Sequence, residues 1–256
     1  MMQKNDAVDD HSEAGLGFTV DTHIFRELGD LLVGRDSTAL AELIKNAYDA
    51  DARRVQVRGT SLSDPGRGVI TIVDDGHGMT PETFKIGFLR VAGRQKEAGN
   101  RRSPKYARRF TGEKGIGRLA AHKLAKRLEI ISVPDKSVLG DKATAFKAVI
   151  DWDRIEELNT LDEVREHSSQ TDLFSLSEVE PRPAVQLSAL GPNEIPFELQ
   201  PHGTKISLQP LRRSWTESER IKLYNEAQPR RRVGDNLTRI EWNRLVLALS
   251  TNFATD

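Results

Sequence analysis

Three short polar stretches, widely separated along the chain, constrain what it can fold into. They are ELIKNAYDA at 42–50, DDGHGM at 74–79 and GEKGIGRLA at 112–120. In this order they supply a helix face with two carboxylates and an amide, an acid on a glycine turn, and a glycine loop that opens a helix. Those are the groups that one pocket needs to activate water and to hold a metal ion, a purine and a phosphate chain.

The composition is that of a globular chain without net charge. Lys and Arg together number 38, as do Asp and Glu, so net charge gives no attraction to nucleic acid or membrane. The absence of cysteine excludes disulfides, thiol catalysis and cysteine metal sites. The start is polar, unlike a signal peptide, and no apolar run approaches the ~20 residues of a membrane span. We therefore expect a cytoplasmic protein without membrane contact.

The hydrophobic pattern mixes helices and strands without regular alternation, which favours an α+β domain over a parallel doubly wound sheet. Residues 1–20 are predicted to form a flexible arm and residues 21–210 the domain. Within the domain, residues 90–111 are expected to be a lid and the acidic residues 155–200 an insertion. Residues 211–256 are expected to form helices that lead toward a further domain.

The first stretch is predicted to be an amphipathic helix. At about 100° per residue, Glu42, Asn46 and Asp49 lie within roughly 60° of one another, and Leu43 and Ala47 point away from them. Glu42 is the candidate base that deprotonates water, Asn46 is the candidate oxygen ligand for Mg²⁺, and Asp49 is a candidate contact with the nucleotide. An ordinary solvated helix face explains the same pattern, and this alternative stays open.

The second stretch follows VITIV, a buried-strand pattern that places Asp74 at a strand end. Gly76 and Gly78 let a ligand approach the backbone closely, and Met79 is suited to lining a flat base. A carboxylate at this place can accept a hydrogen bond from the amine of adenine, whereas guanine presents an acceptor there and is disfavoured. A tight turn with incidental acids is the alternative.

The third stretch is the predicted phosphate site. Backbone N–H groups at a helix N-terminus attract phosphate, and basic side chains flank this loop. Its spacing matches neither a Walker loop nor a dinucleotide-binding loop, so a flexible connection is the alternative. The candidate phosphate-binding residues are Gly112, Lys114, Gly115, Ile116, Gly117 and Arg118.

A basic segment from Arg90 to Arg109 precedes the glycine loop. It contains eight Lys or Arg residues and one acid. Three interpretations stay open: a solvated loop, a lid over a triphosphate, and a contact with DNA phosphates.

Together the motifs resemble the GHKL ATPase superfamily of DNA gyrase, heat-shock chaperones, histidine kinases and MutL. Four boxes occur in the right order: ExxxNxxDA at 42–50, DxGxG at 74–78, a glycine-rich box at 112–117 and Gly-Thr at 203–204. In its motif sequences the chain most resembles the bacterial MORC-like and MutL-like members of the superfamily.

The resemblance implies a Bergerat-type fold, a two-layer sandwich with a mixed, mainly antiparallel sheet and helices on one face. It implies ATP and Mg²⁺ as cofactors, with Glu42 as general base, Asn46 as metal ligand and Asp74 as the acid that selects adenine. A role for Thr204 in supporting adenine comes from the resemblance alone. ATP hydrolysis would drive lid closure and ATP-dependent homodimerisation of a clamp-like or remodelling protein.

Two other functions stay open. The first is an ATP-gated binding module with negligible turnover. Its support is that residues 211–256 are too few to form the domain that supplies a phosphate-binding lysine in MutL-like proteins. A further domain or partner protein would then supply it. A histidine kinase needs an acceptor histidine on a helical hairpin, yet only His11 and His23 precede Glu42. The scattered His77, His122 and His202 are expected to be structural.

Overall fold

A seven-stranded sheet organises the protein in a computed structural model that describes residues 20–89, 102–111, 117–164, 183–221 and 246–249. The strands are β1 (Arg54–Thr60), β2 (Val69–Asp74), β3 (Arg127–Val133), β4 (Phe146–Asp151), β5 (Val185–Ala189), β6 (Gly203–Leu208) and β7 (Val246–Leu249). The helices are α1 (Ile24–Val33), α2 (Asp36–Asp49), α3 (Pro81–Phe88), α4 (Gly117–Leu124), α5 (Lys136–Leu139) and α6 (Trp152–Glu156).

The strand order is β5-β4-β3-β6-β2-β1-β7. All described strand pairs are antiparallel except β1 and β7, which run parallel. The predicted α+β class with a mixed, mainly antiparallel sheet is therefore confirmed.

Alternation of side chains along the strands gives the sheet two different faces. On one face, Ile70 and Ile72 of β2 join the main hydrophobic core, together with Leu43 of α2 and Leu119 of α4. On the opposite face, a smaller cluster contains Val73, Ile131, Val133 and Leu199. Helices α2 and α4 thus cover one side of the sheet, as the two-layer architecture requires.

Helix α2 buries the face that its apolar spacing predicts. Leu43 is 1% and Ala47 3% exposed, whereas Glu42 and Asn46 on the other side are only partly buried. Fully burying one leucine contributes about 1.5–3 kcal/mol, so this apolar stripe holds α2 in a fixed rotation. That rotation determines which polar side chains face away from the core.

The structure corrects two expectations about the second half of the chain. Val246–Leu249 was expected to be helical but forms β7, because the open edge of β1 offers backbone partners to a short apolar run. Residues 217–221 are helical as expected. Within the stretch predicted as an insertion, Val185–Ala189 forms β5 and pairs with β4 in the main sheet.

Several predicted segments lie outside the described residues. They are the arm at 1–19, the lid residues 90–101, the loop residues 112–116, the acidic residues 165–182, and residues 222–245 and 250–256 of the predicted C-terminal helices. Within the described ranges, no helix has both the length and the apolar character needed to cross a membrane.

Candidate functional site

A buried polar row crosses three neighbouring strands at one end of the sheet, on the side covered by helices. In the strand register, Thr204 of β6 pairs with Asp74 of β2 and with Ser132 of β3. The hydroxyl groups of Ser132 and Thr204 are 3.3 Å apart, and the Ser132 hydroxyl accepts the N–H of Met79 at 2.8 Å. The structure therefore brings together three residues that the sequence predicted for the site, Asp74, Met79 and Thr204.

Ser132 is a site residue that sequence reasoning missed. It has no exposed surface and occupies a position where the alternation of β3 calls for an apolar side chain, two residues after Ile130. A serine at a position that should be apolar could have identified it, because a buried hydroxyl group needs hydrogen-bond partners.

Asp74 is a buried carboxyl group with an altered proton affinity. Burial, reinforced by the negative charge of Asp75, raises the pKa of Asp74 to about 7. Hydrogen bonds from the backbone N–H groups of Gly76, at 2.9 Å to Oδ1, and of Thr204 oppose this rise. A ligand that donates a further hydrogen bond to the carboxylate would favour the ionised form and lower the pKa.

The glycine turn after Asp74 packs directly against the C-terminal end of α2. The backbone N–H of His77 donates to the carbonyl of Ala50 at 2.8 Å. A Cβ atom on Gly76 would lie 2.7 Å from that same carbonyl oxygen, and Gly78 has φ +68°. Packing therefore requires glycine at position 76, and backbone geometry requires it at position 78. An incidental turn would not require glycine at both positions.

The three scattered histidines each bond to a structural partner. His77 and His202 donate from Nδ1 to the carbonyls of Gly78 and Gly76, at 2.8 and 2.7 Å. His122 Nε2 lies 2.7 Å from the carboxylate of Glu156. The first two histidines brace the glycine turn, consistent with their expected structural role.

The polar face of α2 carries Glu42, Lys45 and Asn46. Because the sequence predicts that nucleotide binds there, we call this surface the nucleotide face. Lys45 Nζ lies 2.6 Å from Glu42 Oε1, so the candidate base is held in an ion pair. Lys45 was given no role from the sequence, although a Glu–Lys pair three residues apart on a helix is a recognised contact.

Asp49 and Asp51 fasten the end of the predicted lid to α2. Asp49 Oδ1 accepts hydrogen bonds from both the N–H and the hydroxyl of Thr111, at 2.8 and 2.9 Å. Asp51 accepts the hydroxyl of Ser103 and the backbone N–H of Lys105, the latter at 2.7 Å. The chain is thus anchored at α2 immediately before the glycine loop, and we call these contacts the lid anchor. A direct contact of Asp49 with nucleotide stays a prediction.

Arg108 of the basic segment is buried and structural. Its guanidinium group donates to the carbonyls of Tyr48 and Ala52, at 3.2 and 2.6 Å, and lies 4.8 Å from the ring centroid of Tyr48. It is 3% exposed, so it is not available to a DNA phosphate. Among the described basic residues of that segment, Lys105 also pairs with Asp135, while Arg102 and Arg109 are exposed.

Replacing Arg108 with alanine should lower the free energy of unfolding by about 2–4 kcal/mol, because two buried carbonyls lose a charged donor. The neighbouring, exposed Arg109→Ala is the matched control and should stay within about 0.5 kcal/mol of wild type. Urea unfolding followed by circular dichroism measures both changes. Equal stability of the two variants would show that the contacts of Arg108 with Tyr48 and Ala52 do not stabilise the folded protein.

The predicted phosphate loop is only bracketed by described residues. Gly112, Lys114, Gly115 and Ile116 lie outside them, while Gly117 and Arg118 begin α4 and are described by backbone alone. Before the loop, Thr111 is hydrogen-bonded to Asp49 of α2, and after it Gly117 begins a helix that packs against α2. Phosphate binding by these six residues stays a prediction.

The donor set suits magnesium that arrives with a nucleotide. Asn46 is partly buried on the nucleotide face, and no described side chain bonds to its amide. Among the described residues, no group of three His, Asp or Glu side chains is arranged to hold a metal ion. One protein oxygen completed by phosphate oxygens and water is an ordinary magnesium environment, so the residues present fit the ion.

A cleft of about 610 Å³ opens beside the site, behind the glycine turn. It is lined by the opposite-face residues Gln56 and Val73, by Asp74 and by Tyr106, and not by Glu42 or Asn46. The cleft therefore includes Asp74 but does not reach Glu42 or Asn46.

The sheet, the helix layer and this polar end together define a nucleotide-binding domain of the Bergerat type. A family model described as "Histidine kinase-, DNA gyrase B-, and HSP90-like ATPase" matches residues 35–180, more than half of the chain. The chain belongs to this family, and the resemblance inferred from the motifs is confirmed. The Gly-Thr box at 203–204 lies beyond the matched residues.

Similar curated proteins are DNA mismatch repair proteins MutL. That of Rhizorhabdus wittichii is 44% identical over 61 residues, 24% of this chain and 10% of that MutL. That of Bacteroides fragilis is 31% identical over 112 residues, 43% of this chain and 17% of that MutL. These matches span less than a fifth of either MutL. The MutL-like character is confirmed, and the MORC-like character stays a prediction.

Proposed function

We propose that the chain binds ATP with Mg²⁺ and hydrolyses it to ADP and phosphate. The observation that carries this proposal is the placement of Glu42, Asn46 and Asp74 on the helix side of one sheet. The turn after Asp74 docks at Ala50, which follows Glu42 by eight positions, roughly 12 Å along the helix axis. This separation suits the adenine of ATP near Asp74 and the terminal phosphate near Glu42.

Each residue then has a chemical task in the proposed reaction. Asp74 accepts a hydrogen bond from the amine of adenine, and Thr204 and Ser132 complete the buried polar row beside it. Asn46 offers an oxygen to the magnesium ion, which offsets part of the triphosphate charge when bound. Glu42 accepts a proton from water as the water oxygen bonds to the γ-phosphorus, and the bond to the bridging oxygen breaks to release ADP.

Hydrolysis is distinguished from ATP-gated binding by a single-turnover experiment. With protein in excess over labelled ATP, ADP should form at a rate that Mg²⁺ chelation abolishes. Binding without ADP formation would favour the gated module instead. Acid-labile label retained on the protein would favour the histidine kinase.

The lid anchor supports a further part of the proposal, that ATP closes the lid and a homodimer. Asp49 and Asp51 fix the end of the lid to the helix that carries the candidate base, so a nucleotide bound at that helix lies beside the end of the lid. The MutL relatives are named as DNA mismatch repair proteins, which is compatible with a clamp-like role for this chain.

ATP-dependent association is expected to double the mass of the protein in solution. Light scattering coupled to size exclusion measures the mass with no nucleotide, with ADP and with a non-hydrolysable ATP analogue. Only the analogue should give the dimer, because closure depends on the terminal phosphate. A mass that is the same in all three conditions would remove dimerisation from the proposal and leave hydrolysis unaffected.

A further inference from the structure

The ammonium group of Lys45 lies beside the candidate base on the nucleotide face of α2. The pair it forms with Glu42 is partly shielded, with the two side chains 33% and 18% exposed. Around the helix axis, position 45 is about 60° from position 42, and position 46 is about 40° away in the opposite direction. An ammonium, a carboxylate and an amide therefore stand side by side on one surface.

No other described basic side chain contacts Glu42. The sequence left open which residue neutralises the terminal phosphate, and Lys114, the candidate near the glycine loop, lies outside the described residues. An attacking water must lie roughly 2.6–3.2 Å from the base and ~3–3.5 Å from the phosphorus. A terminal phosphate in that position is within reach of a lysine that already touches the base, because its four-carbon stem is flexible.

We propose that Lys45 binds the terminal phosphate of ATP and is a catalytic residue of this site. Without nucleotide, Lys45 pairs with Glu42 and occupies an oxygen that the base needs. The terminal phosphate carries more negative charge than one carboxylate, so the ammonium group of Lys45 leaves Glu42 and forms its ion pair with the phosphate instead. This transfer frees Glu42 to accept the proton of water and places a cation where negative charge accumulates in the transition state.

The proposal rests on ATP being the ligand, and it assigns to a described residue a role for which the motifs offered only Lys114, outside the described residues. In the reaction, the water oxygen forms the new bond to phosphorus and its proton passes to Glu42. The electron pair of the broken bond leaves with the bridging oxygen of ADP. Lys45 donates hydrogen bonds to phosphate oxygens throughout and exchanges no proton.

Two variants of the 256-residue chain test the role of Lys45. Lys45→Met should slow single-turnover hydrolysis by about 100-fold, because one donor to the transition-state charge is lost. It should also lower the affinity for a non-hydrolysable ATP analogue about tenfold relative to ADP, since ADP lacks the terminal phosphate. Lys45→Arg keeps the charge and should recover hydrolysis to within about tenfold of wild type.

Lys147→Met is the matched control, because Lys147 forms a similar half-exposed pair with Glu129 at 2.8 Å on the sheet. It should match wild type in both measurements. A Lys45→Met rate equal to wild type, or faster, with an unchanged analogue-to-ADP ratio overturns the proposal. If wild type itself shows no turnover, the hydrolysis proposal fails, and the analogue-to-ADP ratio still decides whether Lys45 contacts the terminal phosphate.

Discussion

Replacing Glu42 with alanine is expected to leave ATP bound and to slow its hydrolysis by ~10²–10⁴-fold, the usual contribution of a general base. The expectation follows from the position of Glu42 on the nucleotide face, away from the adenine end of the site. Because the variant also releases Lys45 from its ion pair, ATP affinity should be equal to or higher than that of wild type. Fluorescence titration gives the affinity and single-turnover chemistry gives the rate.

The control for Glu42→Ala is Glu129→Ala, which removes a carboxylate from another Glu–Lys pair. This control should hydrolyse ATP at the wild-type rate. Hydrolysis by Glu42→Ala at that same rate would mean that the base has been assigned to the wrong residue, even if ATP binding is retained.

Replacing Asp74 with asparagine is expected to weaken ATP binding by about 100-fold. The asparagine side chain turns either its NH2 group, which cannot accept, or its uncharged oxygen toward the adenine amine. A buried hydrogen-bonding group left without a partner costs about 1–3 kcal/mol. Discrimination against GTP should fall in the same variant, because the acid that disfavours guanine is gone. Titration with ATP and GTP measures both effects.

The pKa of Asp74, raised by burial to about 7, makes adenine binding depend on pH. The ionised carboxylate is the better acceptor, so affinity for adenosine should fall as the pH drops through about 7 and level off above it. Adenosine is the right probe because it has no titrating phosphate. Binding near neutral pH should also release protons to the buffer, because the hydrogen bond from adenine lowers the pKa of Asp74.

The stability of the ligand-free protein should show the opposite trend with pH. The folded-state pKa of Asp74 lies above the ordinary value of 3.8, so the neutral form favours folding. This contribution is fully present below pH 3.8 and is lost as the pH rises through about 7. In Asp74→Asn both the binding and the stability trends should flatten.

Asp75→Asn is the matched control for Asp74→Asn. The Asp75 carboxylate accepts the backbone N–H groups of Arg53 and Arg54, both at 2.7 Å, and so stabilises the turn between α2 and β1. The control should change stability and preserve the preference for ATP over GTP. If both variants lose that preference equally, Asp74 does not select the base.

Much of the site was predictable because its residues occupy positions with strong local constraints. Helical periodicity identified the exposed side of α2 with Glu42 and Asn46, and the apolar run before Asp74 identified the end of β2. Gly76 and Gly78 were predicted to let a ligand approach the backbone; the structure requires glycine at these positions because of the nearby carbonyl of Ala50 at Gly76 and the φ of +68° at Gly78. These inferences needed only the period of a helix, the apolar pattern of a strand and the absence of a side chain.

The residues that sequence reasoning missed depend on contacts between distant segments. Ser132 joins Asp74 only because β6 lies between their two strands. Arg108 belonged to a charge run of apparently equivalent residues, and only its packing against Tyr48 and Ala52 separates it from the exposed Arg109. Lys45 was the exception, because its partner Glu42 is on the same helix.

The sequence by itself determined the family, the order of the boxes and the candidate roles of Glu42, Asn46 and Asp74, because each box encodes its local geometry within a few residues. Only the tertiary structure decided that β7 adds to the edge of β1, that Asp49 and Asp51 anchor the lid, and that burial raises the pKa of Asp74. The physical reason is that strand pairing, desolvation and buried hydrogen bonds arise between segments far apart in the chain. No local pattern specifies them.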